Sequence, residues 1–372
     1  RQVIPGVTAE MAVYLGTALS IPVVALLVSD DALAEYLLDA VGVLAVGYLL
    51  VESFRAEVRE RLRIWVILVM MFFSMLFWAF FEQAGSSLNN FTDRNVDRGL
   101  EDAVVVKADV GRTIAVTLSQ EQLGYPFPRA LVAVPELDAG NTAGTVVMTI
   151  DRLDKLREKV TTVDLMVAEE HVGMGLASSE IKASVFQAAN PIFILTFGLV
   201  FTALWGWLGR RGVEPSTPAK FGWGLMQLAM GFGVLWYGTQ MADGRGMVGM
   251  EILVLSYLFQ TTGELCLSPV GLSMVTRLSP ARLVSTAMGA WFLATAFSQL
   301  LAAKIAQLTG VGGEGGESGV IPPPAETLHV YGEVFGYIAL AAGASAVLMW
   351  ALTPLLVRWA AEDGEAPAAR GH

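Results

Sequence analysis

Long apolar runs dominate the chain, and eight stretches are long enough, or nearly so, to be spanning helices, which need about 20 mostly apolar residues. Stretches 11–29 and 32–51 are parted only by the acidic pair Asp30 and Asp31, which predicts a tight helical hairpin. The third stretch runs from 64 to about 87. Stretches 191–208, 221–237, 250–275, 283–308 and 330–357 complete the set. Several are long enough to span with tilt, although length alone fixes no angle.

One polar segment, about 89–182, interrupts this pattern. Within it, 113–119 (TIAVTLS) alternates as a strand does and 146–150 (VVMTI) is β-prone. Residues 151–160 (DRLDKLREKV) have the spacing of a short amphipathic helix. The segment is either a small folded α+β cap outside the membrane or an irregular insertion, since long loops are usually functional or disordered.

Basic residues set a direction. Arg55, Arg59, Arg61 and Arg63 precede the third stretch, and Arg210, Arg211 and Lys220 lie between the fourth and fifth. Arg277 and Arg282 lie between the sixth and seventh, and Arg358 and Arg370 follow the last. In an alternating topology all fall on one side, which the positive-inside rule assigns to the cytoplasm. The polar segment and the loop 310–327, with Glu314, Glu317 and Glu326 but no Lys or Arg, fall on the other.

Composition agrees with a multi-pass membrane protein: 54% of residues are hydrophobic and 16% charged, against about 25% charged in ordinary soluble domains. A net charge of −11 argues against a nucleic-acid partner. Cys266, the one cysteine, excludes an intrachain disulfide, and His171, His329 and His372 lack metal-ligand spacing. No cofactor is expected. The chain begins with Arg1 and has no signal-peptide pattern, so it reads as a piece of a longer protein. No nucleophile–base pair or phosphate loop points to an enzyme. The glycine-rich run 310–316 follows no strand and reads as a flexible outer loop.

Ionisable groups inside a span cost about 2.5–3.5 kcal/mol on insertion scales, so those present call for a use. Glu264 lies deep in the sixth stretch, among Gly263, Pro269 and Gly271. Proline removes a backbone donor and predicts a kink, and kinked helices near the midplane are where transporters place substrate sites. The alternative is a carboxylate satisfied by neighbouring helices. Glu82, near the end of the third stretch, is either functional or simply reaches the interface. Asn190-Pro191 reads as a cap and helix start. Trp291 and Phe292 read, from residue type alone, as packing or lipid-facing aromatics.

Four motifs in order resemble one family. Residues 82–88 (EQAGSSL) with 93–98 (DRNVDR) look like the seventh helix and its exit in the proton-dependent oligopeptide transporters, a branch of the major facilitator superfamily. Residues 183–194 (ASVFQAANPIFI) resemble the start of that family's eighth helix, and 214–220 (EPSTPAK) the loop after it. Residues 263–265 (GEL), 268–273 (SPVGLS) and 288–291 (MGAW) resemble its tenth and eleventh helices. The resemblance covers about 1–98 and 180–360.

The resemblance implies an all-α membrane protein: the carboxy-terminal six-helix half of a major facilitator fold, preceded by a two-helix hairpin and interrupted by a polar extramembrane insertion. It divides the chain into a hairpin and linker (1–60), a first bundle helix (61–91), an extracytoplasmic insertion (92–182), five further bundle helices (183–358) and a cytoplasmic tail (359–372). It implies proton-coupled symport of di- and tripeptides across the inner membrane by alternating access, with the proton as coupling ion. Glu264 would face the peptide's amino end and Asn190 its backbone. Trp291, with Phe292 and Ser298, would line a side-chain pocket. Glu82 would join an outer gate, and Glu264 would also take part in proton coupling. The amino-terminal half, with its lysine for the peptide carboxylate, is missing from this sequence, and the insertion is longer than the usual exit loop. Carriers of nitrate or another small solute share the fold, and fold alone does not choose between them. A membrane-anchored protein whose insertion binds a partner would have no need of Glu264.

Overall fold

The computed structural model describes residues 2–4, 7–29, 31–100, 103–138, 140–176, 179–309 and 321–361. The expected features at Asp30, in the glycine-rich run 310–316 and beyond residue 361 lie outside the described residues.

Helices occupy all eight apolar stretches. After a short hairpin of β1 (Gln2–Ile4) and β2 (Val7–Thr8) come α1 (Ala9–Ser29) and α2 (Asp31–Arg55), which pack on each other. The third, α3 (Val58–Phe81), does not run on to residue 87 as expected. It tightens into a 3₁₀ turn at Glu82–Gly85 and resumes as α4 (Ser87–Asn95). Gln83 accounts for the break: its amide donates to the Ala302 carbonyl at 3.0 Å and accepts from the Ser87 hydroxyl at 2.6 Å, which ties the turn to another helix.

The polar segment is folded. It opens with β3 (Val96–Asp97), followed by β4 (Thr113–Thr117), β5 (Pro126–Pro128), the single turn α5 (Pro135–Asp138), β6 (Thr145–Val147), α6 (Ile150–Arg157) and β7 (Thr162–Met166). β4 pairs antiparallel with β7, from Thr113↔Met166 to Thr117↔Thr162, and β5 pairs antiparallel with β6. Val116, Phe127, Val132, Leu153, Leu165 and Met174 sit at the centre of a core separate from that of the helices. The expected strand and helix are present; the β-prone run 146–150 divides into the end of β6 and the start of α6.

Five long helices follow: α7 (Ala189–Arg210), α8 (Thr217–Gln240), α9 (Met250–Leu278, after the two-residue β8 at Val248–Gly249), α10 (Val284–Gln307) and α11 (Pro324–Ala360). α9 is continuous across Pro269. α8 packs against α9 and α11, and α10 against α3. Phe77, Phe91, Phe221, Phe232, Tyr331 and Phe335 fill the bundle core. By length and composition five described helical stretches suffice to cross a membrane: Ala32–Arg55, Val58–Asn95, Ala183–Arg210, Val284–Gln307 and Pro324–Ala360. α8 and α9 are not among these five. Each is long enough, but Gln227 and Gln240 in α8 and Gln260, Thr261, Thr262 and Glu264 in α9 lower their hydropathy. Much of α8 is covered by neighbouring helices instead of lipid.

The polar domain and the basic loops occupy opposite ends of the bundle. At one end β3 pairs in parallel with β8, and Asn95 donates to the carbonyls of Gly246 and Pro324. At the other, Arg282 reaches Glu60 at 3.1 Å and Glu52 at 3.8 Å, and Lys220 pairs with Glu214.

Candidate functional site

Glu264 lies at the midpoint of α9, with fourteen residues of the helix before it and fourteen after. Its Oε2 accepts a hydrogen bond from Asn190 Nδ2 at 3.0 Å. The same amide donates to Thr261 Oγ1 at 3.2 Å, while the Thr261 hydroxyl donates its own proton to the Tyr257 carbonyl at 2.8 Å. Asn190 is the second residue of α7, which is led in by a 3₁₀ turn at Ala183–Ala188. The helix therefore starts before Pro191, not at it. Proline fits there because the first turn's N–H groups have no intrahelical partner.

Glu264 thus accepts from one neutral side chain, Asn190, which also donates to Thr261. No Lys, Arg or His pairs with it among the described residues. Glu82 opens the 3₁₀ turn after α3, close enough for its charge to act on Glu264. Asn190, Glu264 and Glu82 are all only partly buried in this chain.

The neighbouring wall is glycine-dependent. α8 and α9 cross at Gly224 and Gly263, where a Cβ on either would stand 2.8 Å from the other's carbonyl oxygen. Larger residues would force the helices apart beside Glu264. Gly271 similarly lets Trp291 of α10 lie against α9, since a Cβ there would be 2.6 Å from the ring. Trp291 is buried, edge-on to Phe221 at 6.4 Å. Phe292 points away from that contact and is 59% exposed. Ser298 is fully buried and donates to the Thr295 carbonyl at 2.6 Å within its own helix. The structure thus brings Asn190 and Glu264 into direct contact, with Glu82 within electrostatic reach.

Sequence reasoning missed Thr261 and Gly224. Thr261 lies three residues before Glu264, on the same helical face, a spacing that would have found it. No group of histidine, cysteine and acidic residues able to hold a metal occurs among the described residues. His171 is a structural group: its Nδ1 accepts from the Ala168 N–H at 2.9 Å and its Nε2 lies 2.7 Å from the Pro126 carbonyl.

Residues 159–321 match the sequence profile of the POT family (PTR2). The chain is 39% identical over 194 residues to dipeptide and tripeptide permease A of Erwinia pyrifoliae, a match spanning 52% of this chain and 37% of the permease. It is 38% identical over 153 residues to the uncharacterized transporter YclF of Bacillus subtilis, spanning 41% and 30% of the two chains. Its fold matches the crystal structure of tetrameric PepTSo2 with a TM-score of 0.61 at 22% identity, over 95% of this chain and 55% of that one. A peptide transporter POT solved with sulfate gives 0.55 at 22%, over 95% and 54%.

Over residues 159–321 the chain is similar to the POT family.

The proteins this chain resembles are membrane transporters, not enzymes. Its long apolar helices are of the kind integral membrane permeases carry. The chain spans well under two thirds of the length of the relatives it matches, curated and solved alike.

Proposed function

We propose that this chain forms the carboxy-terminal six-helix half, with a preceding hairpin, of a proton-coupled symporter of di- and tripeptides in the inner membrane. Residues 92–182 are then an insertion on the outer side, and the amino-terminal half supplies the missing partner groups. Glu264 receives the peptide's ammonium group, Asn190 its backbone, and Trp291 bounds a side-chain pocket, with Phe292 and Ser298 nearby. Glu82 gates the outer side. The proton is the coupling ion and no other cofactor takes part.

One observation carries this reading: a carboxylate midway along a bundle helix, bonded by the neutral side chain of Asn190, has no cation partner among the described residues. A peptide's ammonium group supplies one. A cation of the amino-terminal half that moves away on gating lets the buried acid take a proton, because burial disfavours the charged form, which links gating to protonation. The partial match to peptide permeases supports the choice of cargo.

The test uses the protein restored with its amino-terminal half. Glu264→Gln keeps the shape and removes the charge, so a dipeptide should lose about 1.5–3 kcal/mol of binding. An amino-acetylated twin brings no charge and should lose less. Equal losses for both ligands make Glu264 a structural carboxylate and remove the amino-end pocket.

A further inference from the structure

The end of the bundle opposite the polar domain holds a cleft of about 900 Å³. Val66 of α3 and Met274 and Leu278 of α9 close its floor and are almost fully buried; its open apolar surface is Pro215, Val357 and Ala360. Its rim is cationic. Arg277 ends α9 and Arg358 ends α11, and both are exposed. Ser216 and Thr217 add hydroxyls at the start of α8. The one carboxylate in the lining, Glu214, is already paired with Lys220, which also lies 4.6 Å from the centre of the Trp205 ring. Among the described residues neither Arg277 nor Arg358 pairs with an acid.

Apolar surface at a helix end beneath a pair of guanidinium groups is complementary to one kind of molecule. A lipid phosphate accepts paired hydrogen bonds from arginine, and its acyl chain covers apolar helix surface. Basic pockets between spanning helices take lipid headgroups in this way. A free phosphate would satisfy the rim but leave Val357 and Ala360 uncovered.

We propose that this cleft binds an anionic phospholipid, with Arg277 and Arg358 holding its phosphate and Pro215, Val357 and Ala360 lying along its proximal acyl chain. The site lies away from Glu264 and does not depend on which solute the protein carries. Its occupant ties the ends of α9 and α11 together.

The protein restored with its amino-terminal half is reconstituted in nanodiscs of phosphatidylcholine alone or with a fifth phosphatidylglycerol, and its thermal midpoint and bound lipid (by native mass spectrometry) are read. Phosphatidylglycerol should raise the midpoint by several degrees and remain bound after the other lipids are stripped. Arg277→Gln with Arg358→Gln should abolish both effects, and Arg277→Lys with Arg358→Lys should restore part of them. Inorganic phosphate at millimolar concentration should reproduce neither. If the glutamine double variant folds and keeps the phosphatidylglycerol effect, or if free phosphate gives the same shift, the proposal is wrong. The lysine pair separates loss of charge from loss of fold: a variant that folds with lysine yet binds no anionic lipid also overturns it.

Discussion

Gly224 and Gly263 place the backbones of α8 and α9 so close that either residue's missing Cβ is filled by the other's carbonyl oxygen. Glu264, next along the chain, takes its depth and direction from that crossing. Gly263→Ala should therefore cost about 1–3 kcal/mol through overpacking and weaken peptide binding as the helices separate. Gly233, on the same α8 but with open space around it, supplies the contrast. Gly233→Ala should be neutral or slightly stabilising, because alanine is the better helix former by about 1 kcal/mol. Thermal midpoints of the two variants in detergent check this; equal shifts would mean that the crossing tolerates a methyl group.

Orientation follows from the opposite placement of the polar domain and the basic loops. Lys159 lies in the polar domain and Arg211 in the loop after α7, and both are exposed. In a Cys266→Ala background, Lys159→Cys should label from outside intact cells and Arg211→Cys only after permeabilisation. Labelling of both from one side would contradict the assigned topology.

Arg152 and Asp138 make a two-pronged ion pair inside the polar domain, at 2.7 and 2.9 Å, with both side chains almost fully buried. The hydrogen bonds from Arg152, with the Val134 N–H and Arg129 assisting, hold the Asp138 carboxyl down at about 2 from its ordinary 3.8. A lowered acid pKa adds stability that is full above the unfolded value and fades as pH falls towards the folded one, here from about 4 to about 2. Arg152→Met leaves the buried carboxylate with only Arg129, at 3.8 Å, and the Val134 N–H, and should cost up to about 3 kcal/mol, the lower end for breaking a buried pair. Hydrogen exchange should show β4 and β7 losing protection while α8 and α9 keep theirs. Simultaneous loss in both would show that the polar domain and the bundle unfold as one unit.

Much of this architecture could be read from the chain. Apolar runs located all eight long helices, and alternation located β4. β7 was missed although Val163, Leu165 and Val167 alternate inward; Asp164 between them obscured a strand whose partner lies some fifty residues away. The break after α3 was not legible, because Glu82-Gln83-Ala84-Gly85 continues a helical pattern until Gln83 meets Ala302, 219 residues along the chain. Family resemblance singled out Asn190 and Glu264 separately. Their contact, across 74 residues, belongs to the packing of α7 on α9.

The polar domain is clasped to the bundle by a group that responds to pH. Arg245, in the loop after α8, donates to the Glu121 carbonyl at 2.9 Å, approaches Asp97 at 3.4 Å and lies 5.3 Å from the centre of the Tyr125 ring. The Glu121 side chain is buried between these elements, beside Asp97 and Gly175. Burial pushes its carboxyl up from 4.5 to about 7; Asp97 adds to the rise, Glu180 adds a little more, and Arg245 opposes it. A raised acid pKa means that the folded protein holds a proton the unfolded chain has already released. Stability therefore falls as pH rises from about 4.5 to about 7, and the full penalty persists above that. Asp97, Glu180 and Arg245 share the field, so the effect of Glu121 alone is at most about 3 kcal/mol. Glu121→Gln imitates the protonated acid, including its ability to donate to Asp97, and cannot ionise. The thermal midpoint of the wild-type chain should fall between pH 5 and pH 7.5, and that of Glu121→Gln should stay nearly level and lie higher at pH 7.5. Parallel slopes for the two proteins would place the titrating group elsewhere in the clasp.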